Sequence, residues 1–290
     1  MLVSCLGDIM LDVIVDAPAG LVTDDDTPAR ITFAAGGQAA NVAAWTTALG
    51  GTARVVGPRS DSGNGRLVEE ALAAAGVEVH GVPTEHPGTV MSLVTDGYRS
   101  MASDPGSSDW LGRVTPGPWL DAADWLFVSG YALLRAPDPP RVVAVAEAAR
   151  ASGTRVAVDL SSASMIGEYG AARFRELWHA LRPEAIFANE AEWTATNEGR
   201  SASRSPSFGA GGTSVLVLKH GPDGATFVID GVGDHRVPIA GPVKDVTGAG
   251  DALAAGFLLG GTDLAMEAAA RCVARLGAQP SPGRSGARTS

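Results

Sequence analysis

The chain has 290 residues, 45% hydrophobic and 19% charged, with 32 acidic against 22 basic side chains and a formal charge of −10. That length allows a large core in a single domain over 1–290, and the negative balance is the wrong sign for a surface that grips phosphate backbones, so no nucleic-acid partner is expected. The longest apolar stretch, around Ala252 to Gly261, is too short for a bilayer, and Cys5 and Cys272, far apart inside apolar patterns, read as reduced thiols of a cytoplasmic protein.

Leu2 to Leu6 reads as a first strand and not a leader, because no basic residues precede it and Asp8 interrupts the apolar run. Short strands at Asp12 to Val15 and Arg30 to Ala34 follow. The period then changes: Gln38 to Leu49 is helical, punctuated by Gly36-Gly37 before and Gly50-Gly51 after. A strand at Ala53 to Val56, a helix over Asn64 to Ala75 and two strands flanking Asp96-Gly97 come next, the last pair a hairpin signature.

From Trp125 the pattern alternates. Strands at Trp125 to Ser129, Arg155 to Leu160, Ala185 to Ala188 and Val215 to Lys219 are separated by helical runs at Arg141 to Ser152 and Ala171 to Leu181. Such alternation predicts an α/β fold with a mostly parallel sheet covered by helices. The early strands do not fit that sheet, so stretches 11–17, 29–35 and 89–103 are assigned to a small antiparallel lid. Glu198 to Thr213 and the tail after Gln279 read as loops without chemistry.

The segment Asp245-Val246-Thr247-Gly248-Ala249-Gly250-Asp251 enters a helical apolar run. Small residues at a helix start leave backbone N–H groups bare at the positive dipole end, which suits an anion, and a carboxylate at Asp251 could take a proton from a hydroxyl beside it. An ordinary tight turn fits this motif alone equally well. Near the other end, Gly36-Gly37-Gln38-Ala39-Ala40-Asn41 combines close backbone approach with an amide one turn into a helix, and Asp12 offers two acceptor oxygens to a polyol.

Together, Gly-Gly-x-x-x-Asn-x-Ala at Gly36 to Ala43 and Asp-x-Thr-Gly-Ala-Gly-Asp at Asp245 to Asp251 resemble the paired signatures of the ribokinase-like (PfkB) carbohydrate kinases. The resemblance runs almost end to end. It includes Gly7 to Asp12, the Gly57 to Gly65 loop, Asn189-Glu190-Ala191-Glu192 and Lys219 to Gly224. It implies a ribokinase-like fold and an ATP-dependent kinase of a small sugar or sugar derivative, with Mg²⁺ and room for a monovalent cation as cofactors, and a homodimer joined through the lid.

Residue by residue, the resemblance makes Asp251 the catalytic base and Gly248, Ala249 and Gly250 the anion hole. Asp12, Gly36, Gly37, Gln38 and Asn41 would hold the acceptor. Glu192 and Asp245 would organise Mg²⁺ through water, and Asn189, Lys219, Gly221, Gly224, Cys272 and Gly277 would line the nucleotide site. Met10 and Gln38 depart from residues usual in ribokinases, which argues against ribose itself, and Met266 replaces a common family Asn near the nucleotide, which leaves the nucleotide preference open. Tyr131 in Ser129-Gly130-Tyr131 resembles nucleoside kinases, and Arg99 resembles lid residues of kinases for acidic or ketose sugars. A nucleoside kinase and a non-catalytic sensor with this fold are the rival readings. The two lysines, Lys219 and Lys244, lie outside any Gly-Lys-Ser/Thr context, so no P-loop is present, and no zinc, hydrolase-elbow or dinucleotide fingerprint occurs.

Overall fold

The computed structural model describes residues 1–95, 98–196 and 213–280. β1 (Leu2–Leu6) runs almost directly into β2 (Met10–Asp16), and β3 (Arg30–Gly36) leads into α1 (Gln38–Ala48). β4 (Thr52–Arg59), α2 (Gly63–Ala74) and β5 (Val77–Pro83) precede the strand pair β6 (Gly88–Thr95) and β7 (Tyr98–Asp104). Then come β8 (Trp125–Ser129), the short α3 (Gly130–Leu134), α4 (Pro139–Ala151), β9 (Arg155–Asp159), α5 (Ala163–Tyr169) and α6 (Ala171–Ala180). β10 (Ala185–Asn189), α7 (Glu190–Thr196), β11 (Val215–Lys219), the pair β12 (Ala225–Ile229) and β13 (Val232–Arg236), and the long α8 (Ala249–Val273) complete the chain.

Nine strands form one sheet in the order β13-β12-β11-β10-β9-β8-β1-β4-β5, parallel from β11 to β5 with an antiparallel extension at β12 and β13. Its central strands are buried on both faces, which is why β8 reads Trp-Leu-Phe-Val-Ser without alternation. One face packs on α1 and α8 through Trp45, Phe127, Phe187 and Phe227; the other carries Leu126, Val158 and Ile186 against α3 to α6. This is the expected helix-covered parallel sheet.

The second, small sheet, β3-β2-β6-β7, holds the strands assigned to the lid, with boundaries within a residue or so of those read from sequence. It is not wholly antiparallel: β2 and β6 run parallel, because β2 follows β1 and β6 follows β5, and those two preceding strands point the same way in the main sheet. The Asp96-Gly97 turn, most of the Glu198 to Thr213 loop and the tail beyond Pro280 lie outside the described residues. Helix α8 is longer than expected, and by length and composition its 25 residues would reach across a bilayer. Gly260 and Gly261 break it, however, so each half spans only about a dozen residues, roughly 18 Å, and its Ala252–Leu258 face is core.

Candidate active site

The carboxyl ends of the parallel strands, the first turn of α8 and the underside of the lid converge on one cleft. Gly248 begins α8 with φ +76°, a left-handed conformation glycine adopts without strain, and no side chain caps the helix. Ala249 N donates back to the Val246 carbonyl at 3.3 Å, and the next amides of the first turn, at Gly250 and Asp251, have no acceptor within the helix and stay available to an anion. The turn is braced from behind. Asp245 accepts from Thr247 N at 2.9 Å, Thr247 Oγ1 and Gly277 N at 2.9 Å, while the Cys272 thiol donates to the Thr247 carbonyl at 3.2 Å.

These contacts show what three of the expected site residues do in the turn. Both oxygens of Asp245 are engaged in holding the turn. Cys272 is completely buried, its thiol pushed up to about 12 by burial and then by Asp251 and Asp245, so it supports the turn and offers no surface to adenine. Gly277 shares that bracing task through its backbone N–H.

Asp251, in the first turn of α8, accepts from Asn41 Nδ2 at 2.8 Å, and Gln279 Nε2 in turn donates to Asn41 Oδ1 at 2.7 Å. Burial raises the Asp251 carboxyl to about 7; the Asn41 hydrogen bond opposes this, Asp159 adds to it, Lys219 opposes it and Asp12 adds to it. A carboxylate near neutrality is a competent general base at physiological pH. Removing Asn41 removes a donor to the charged form. In Asn41→Ala the acidic limb of the kcat/KM pH profile should move from near pH 7 upward by about one to two units, because a hydrogen bond to a charged group is worth roughly 1.5–3 kcal/mol. An unmoved limb would separate Asn41 from the base.

Asp12 faces Asp251 from the lid. Its carboxylate occupies the space over Gly36, where a Cβ would lie 2.0 Å from Asp12 Oδ1, and Gly37 at φ +92° passes so close to the Asp8 carbonyl that a Cβ would sit 2.4 Å from it. The paired glycines therefore make room for a carboxylate and a backbone crossing. Burial raises Asp12 to about 6, with Arg99 lowering and Asp245 raising it. Arg99 reaches down from β7 to donate to Thr247 Oγ1 and lies 3.9 Å from Asp245, so the lid strand and the anion turn are linked. Gln38 is fixed through Oε1, which accepts from Ser129 Oγ at 2.5 Å and Ser161 Oγ at 2.7 Å.

An open cavity of about 520 Å³, lined by Asn189, Glu190, Lys219, His220, Gly221, Asp223 and His235 among others, brings together three of the residues expected at the nucleotide site. Gly224 does not line it; at φ +95°, packed under the Arg236 carbonyl, it shapes the turn. Asn189 and Glu192 form a reciprocal cap on α7: Asn189 N and Nδ2 donate to Glu192 at 2.7 and 2.8 Å, and Glu192 N donates back to Asn189 Oδ1 at 2.8 Å. Burial raises the Glu192 carboxyl, opposed by Lys219, whose Nζ is 4.0 Å away and 2.6 Å from Asp159 Oδ2. Tyr131, opening α3, lies between the halves; burial and the charges of Glu192, Asp159, Asp8 and Asp251 push its phenol up to about 12.

Sequence reading missed Asp159, Ser161, Gln279 and the pair Asp8–Arg135. Arg135 donates to Asp8 Oδ1 at 3.0 Å and to the Pro105 and Gly106 carbonyls at 2.8 and 3.2 Å, fastening the root of β7 to the end of β1. Asp8 lies within the Gly7 to Asp12 motif, but its long-range partner left no local signal.

A doubly covered parallel sheet, a small lid sheet and a carboxylate behind a bare helix start define a ribokinase-like phosphotransferase. The chain belongs to the pfkB family of carbohydrate kinases, whose family model matches residues 1–281, and it is a kinase that uses ATP. It is 28% identical over 264 residues to an ATP-dependent ribose-1-phosphate kinase of Halopiger xanaduensis, covering 88% of this chain and 82% of that one. It is 32% identical over 281 residues to the bifunctional protein HldE of Halorhodospira halophila, covering 89% of this chain and 56% of that protein. Among solved structures, adenosine kinase from Sinorhizobium meliloti superposes with a TM-score of 0.82 at 25% identity, covering 97% of this chain and 95% of the other.

Proposed function

We propose that this kinase transfers the γ-phosphoryl group of ATP to a hydroxymethyl group of a small sugar or sugar derivative held between the lid and α1. The observation that carries this reading is Asp251: a half-buried carboxyl brought near 7, in the first turn of α8, oriented by Asn41 and coupled to Asp12 across the acceptor cleft. In this reading Asp251 takes the acceptor proton, the amides after Gly248 hold the charge on the moving phosphoryl, and Asp12, Gly37 and Asn41 grip the hydroxyls. Lid closure excludes water that would otherwise accept the phosphoryl group. Two relatives are named for ribose-1-phosphate and adenosine, acceptors that share a ribofuranose, which favours a furanose-bearing substrate.

Among the described residues no cluster of three or more ligating side chains could cage a metal. Mg²⁺ needs no such cage, since it keeps much of its water and binds largely through substrate phosphates. The buried Glu192 carboxylate beside the cleft fits that outer role. When bound with the triphosphate, the ion would neutralise its charge and polarise the γ-phosphoryl group. The exposed Ile31, Phe33 and Met91, on the lid face opposite Asp12, suit a homodimer through the lid.

A coupled ADP-release screen over pentoses, hexoses, sugar phosphates and nucleosides tests the reading. Turnover of a sugar or sugar phosphate supports it. A clear preference for nucleosides would reassign the acceptor, and failure to turn over any of them would favour a sensor.

A further inference from the structure

Lys219 is one of two lysines in a chain whose other permanent cations are arginines, and it stands at the carboxyl end of β11 on the wall of the nucleotide cleft. Its ammonium is 2.6 Å from Asp159 Oδ2 and 4.0 Å from Glu192 Oε2. On its other side is the anion turn. A Cβ built on Gly250 would lie 3.3 Å from Lys219 Cδ and 3.4 Å from Nζ, so the missing side chain is what lets the lysine stand beside the first turn of α8. The ammonium thus sits between Glu192, Asp159 and the bare amides of that turn.

Resting on the kinase reading above, we propose that Lys219 is a catalytic residue whose ammonium turns from Asp159 to the γ-phosphoryl group and stays on it through the transfer. Asp159 is then its holding partner while the nucleotide is absent. The choice of lysine follows from the geometry. A compact ammonium on a flexible stem can rotate between two partners from one position, whereas a guanidinium fork is planar and wider than the space beside Gly250. Electrostatics point the same way. Burial alone would discharge the amine, but Asp159 and then Glu192 and Asp251 overcome that, so the group is charged whenever phosphate arrives.

In the transfer the acceptor O–H bond breaks with its proton going to Asp251, and the freed oxygen pair forms the new bond to the γ-phosphorus. The bond from that phosphorus to the bridging oxygen breaks, and ADP leaves with its electron pair. Lys219 keeps its proton throughout. It balances charge on the equatorial oxygens, where donors preset in a site short of water are most effective.

A purely structural Lys219–Asp159 ion pair makes a different forecast, and nucleotide binding separates the two without an acceptor. By titration calorimetry with Mg²⁺ present, Lys219→Met should weaken the imido analogue of ATP by about 10- to 100-fold, as loss of a charge-assisted hydrogen bond implies, and leave ADP within about three-fold. Its kcat should fall by about 10²–10³, with acceptor KM little changed. Lys219→Cys treated with 2-bromoethylamine regains an ammonium of nearly the same reach. Cys5 and Cys272 are buried, so alkylation falls on the introduced thiol. Recovery of both analogue affinity and kcat by at least about ten-fold supports the proposal. Equal weakening of both nucleotides, an unchanged analogue affinity, or no rescue by the restored amine would each overturn it. If the unaltered protein binds neither nucleotide, the kinase reading itself fails.

Discussion

Asp251→Asn should lower kcat by about 10²–10⁴ and leave ATP affinity within about three-fold, the span expected for loss of a general base that does not itself hold the nucleotide. The substitution is nearly isosteric. An amide oxygen at the same place can still accept from Asn41, so the chain Gln279–Asn41–Asp251 need not collapse. What disappears is the capacity to take a proton. The same change should stabilise the fold above neutrality. Burial raises Asp251 from 3.8 to about 7, so the native state binds the proton more tightly than the unfolded chain does. The stabilisation from this bound proton is present below about pH 4 and is lost as pH rises through about 7. An asparagine carries no such penalty, so the variant should melt higher than the parent at pH 8, with the difference vanishing by pH 4. Thermal melts at both pH values, beside steady-state kinetics, check this. A variant with near wild-type kcat would remove Asp251 from the role of base.

How much of this could be read from the chain depends on how local the physics is. β8 and β11 end where their apolar runs end, and α1 starts where Gly37 takes a positive φ, because strands and caps are written in adjacent residues. β5 escaped notice because Glu78, His80, Gly81 and Pro83 dilute its pattern, and its place in the sheet comes from pairing with β4. β12 and β13 surround Asp230-Gly231, a hairpin signal present in the sequence but overlooked. In the site, the two glycine-rich motifs were legible because they depend on backbone conformation. Asn189 and Glu192 were legible only as a motif, and the structure gives the motif its physical content as a reciprocal helix cap. Asp159 was not legible at all: it ends a buried strand like any other, and its meaning comes from Lys219, sixty positions away in sequence.

Asp12→Ala should raise the acceptor KM strongly, leave the KM for ATP nearly unchanged and cut kcat/KM for the acceptor by at least about 10²-fold. Asp12 sits on β2 where the chain leaves the main sheet for the lid, and Gly36 on the paired strand has no side chain to displace its carboxylate. Two carboxylate oxygens match two neighbouring hydroxyl donors, and each such bond to a charged group is worth roughly 1.5–3 kcal/mol, so losing both gives the stated factor. Part of the loss should fall on kcat, because an acceptor that is not gripped presents its hydroxymethyl group to Asp251 less often. Titration adds an independent signature. Burial holds Asp12 near 6 against the pull of Arg99, so below that pH the parent protonates an acceptor oxygen and its acceptor KM should climb. The alanine variant has nothing there to protonate, and its acceptor KM should stay flat between pH 5 and 8. Kinetics with each substrate varied in turn over that range decide the matter. If the variant keeps the parent's acceptor KM and its pH dependence, Asp12 lies outside the acceptor site, and recognition falls to Gly37, Gln38 and Asn41 on α1 and its entry turn.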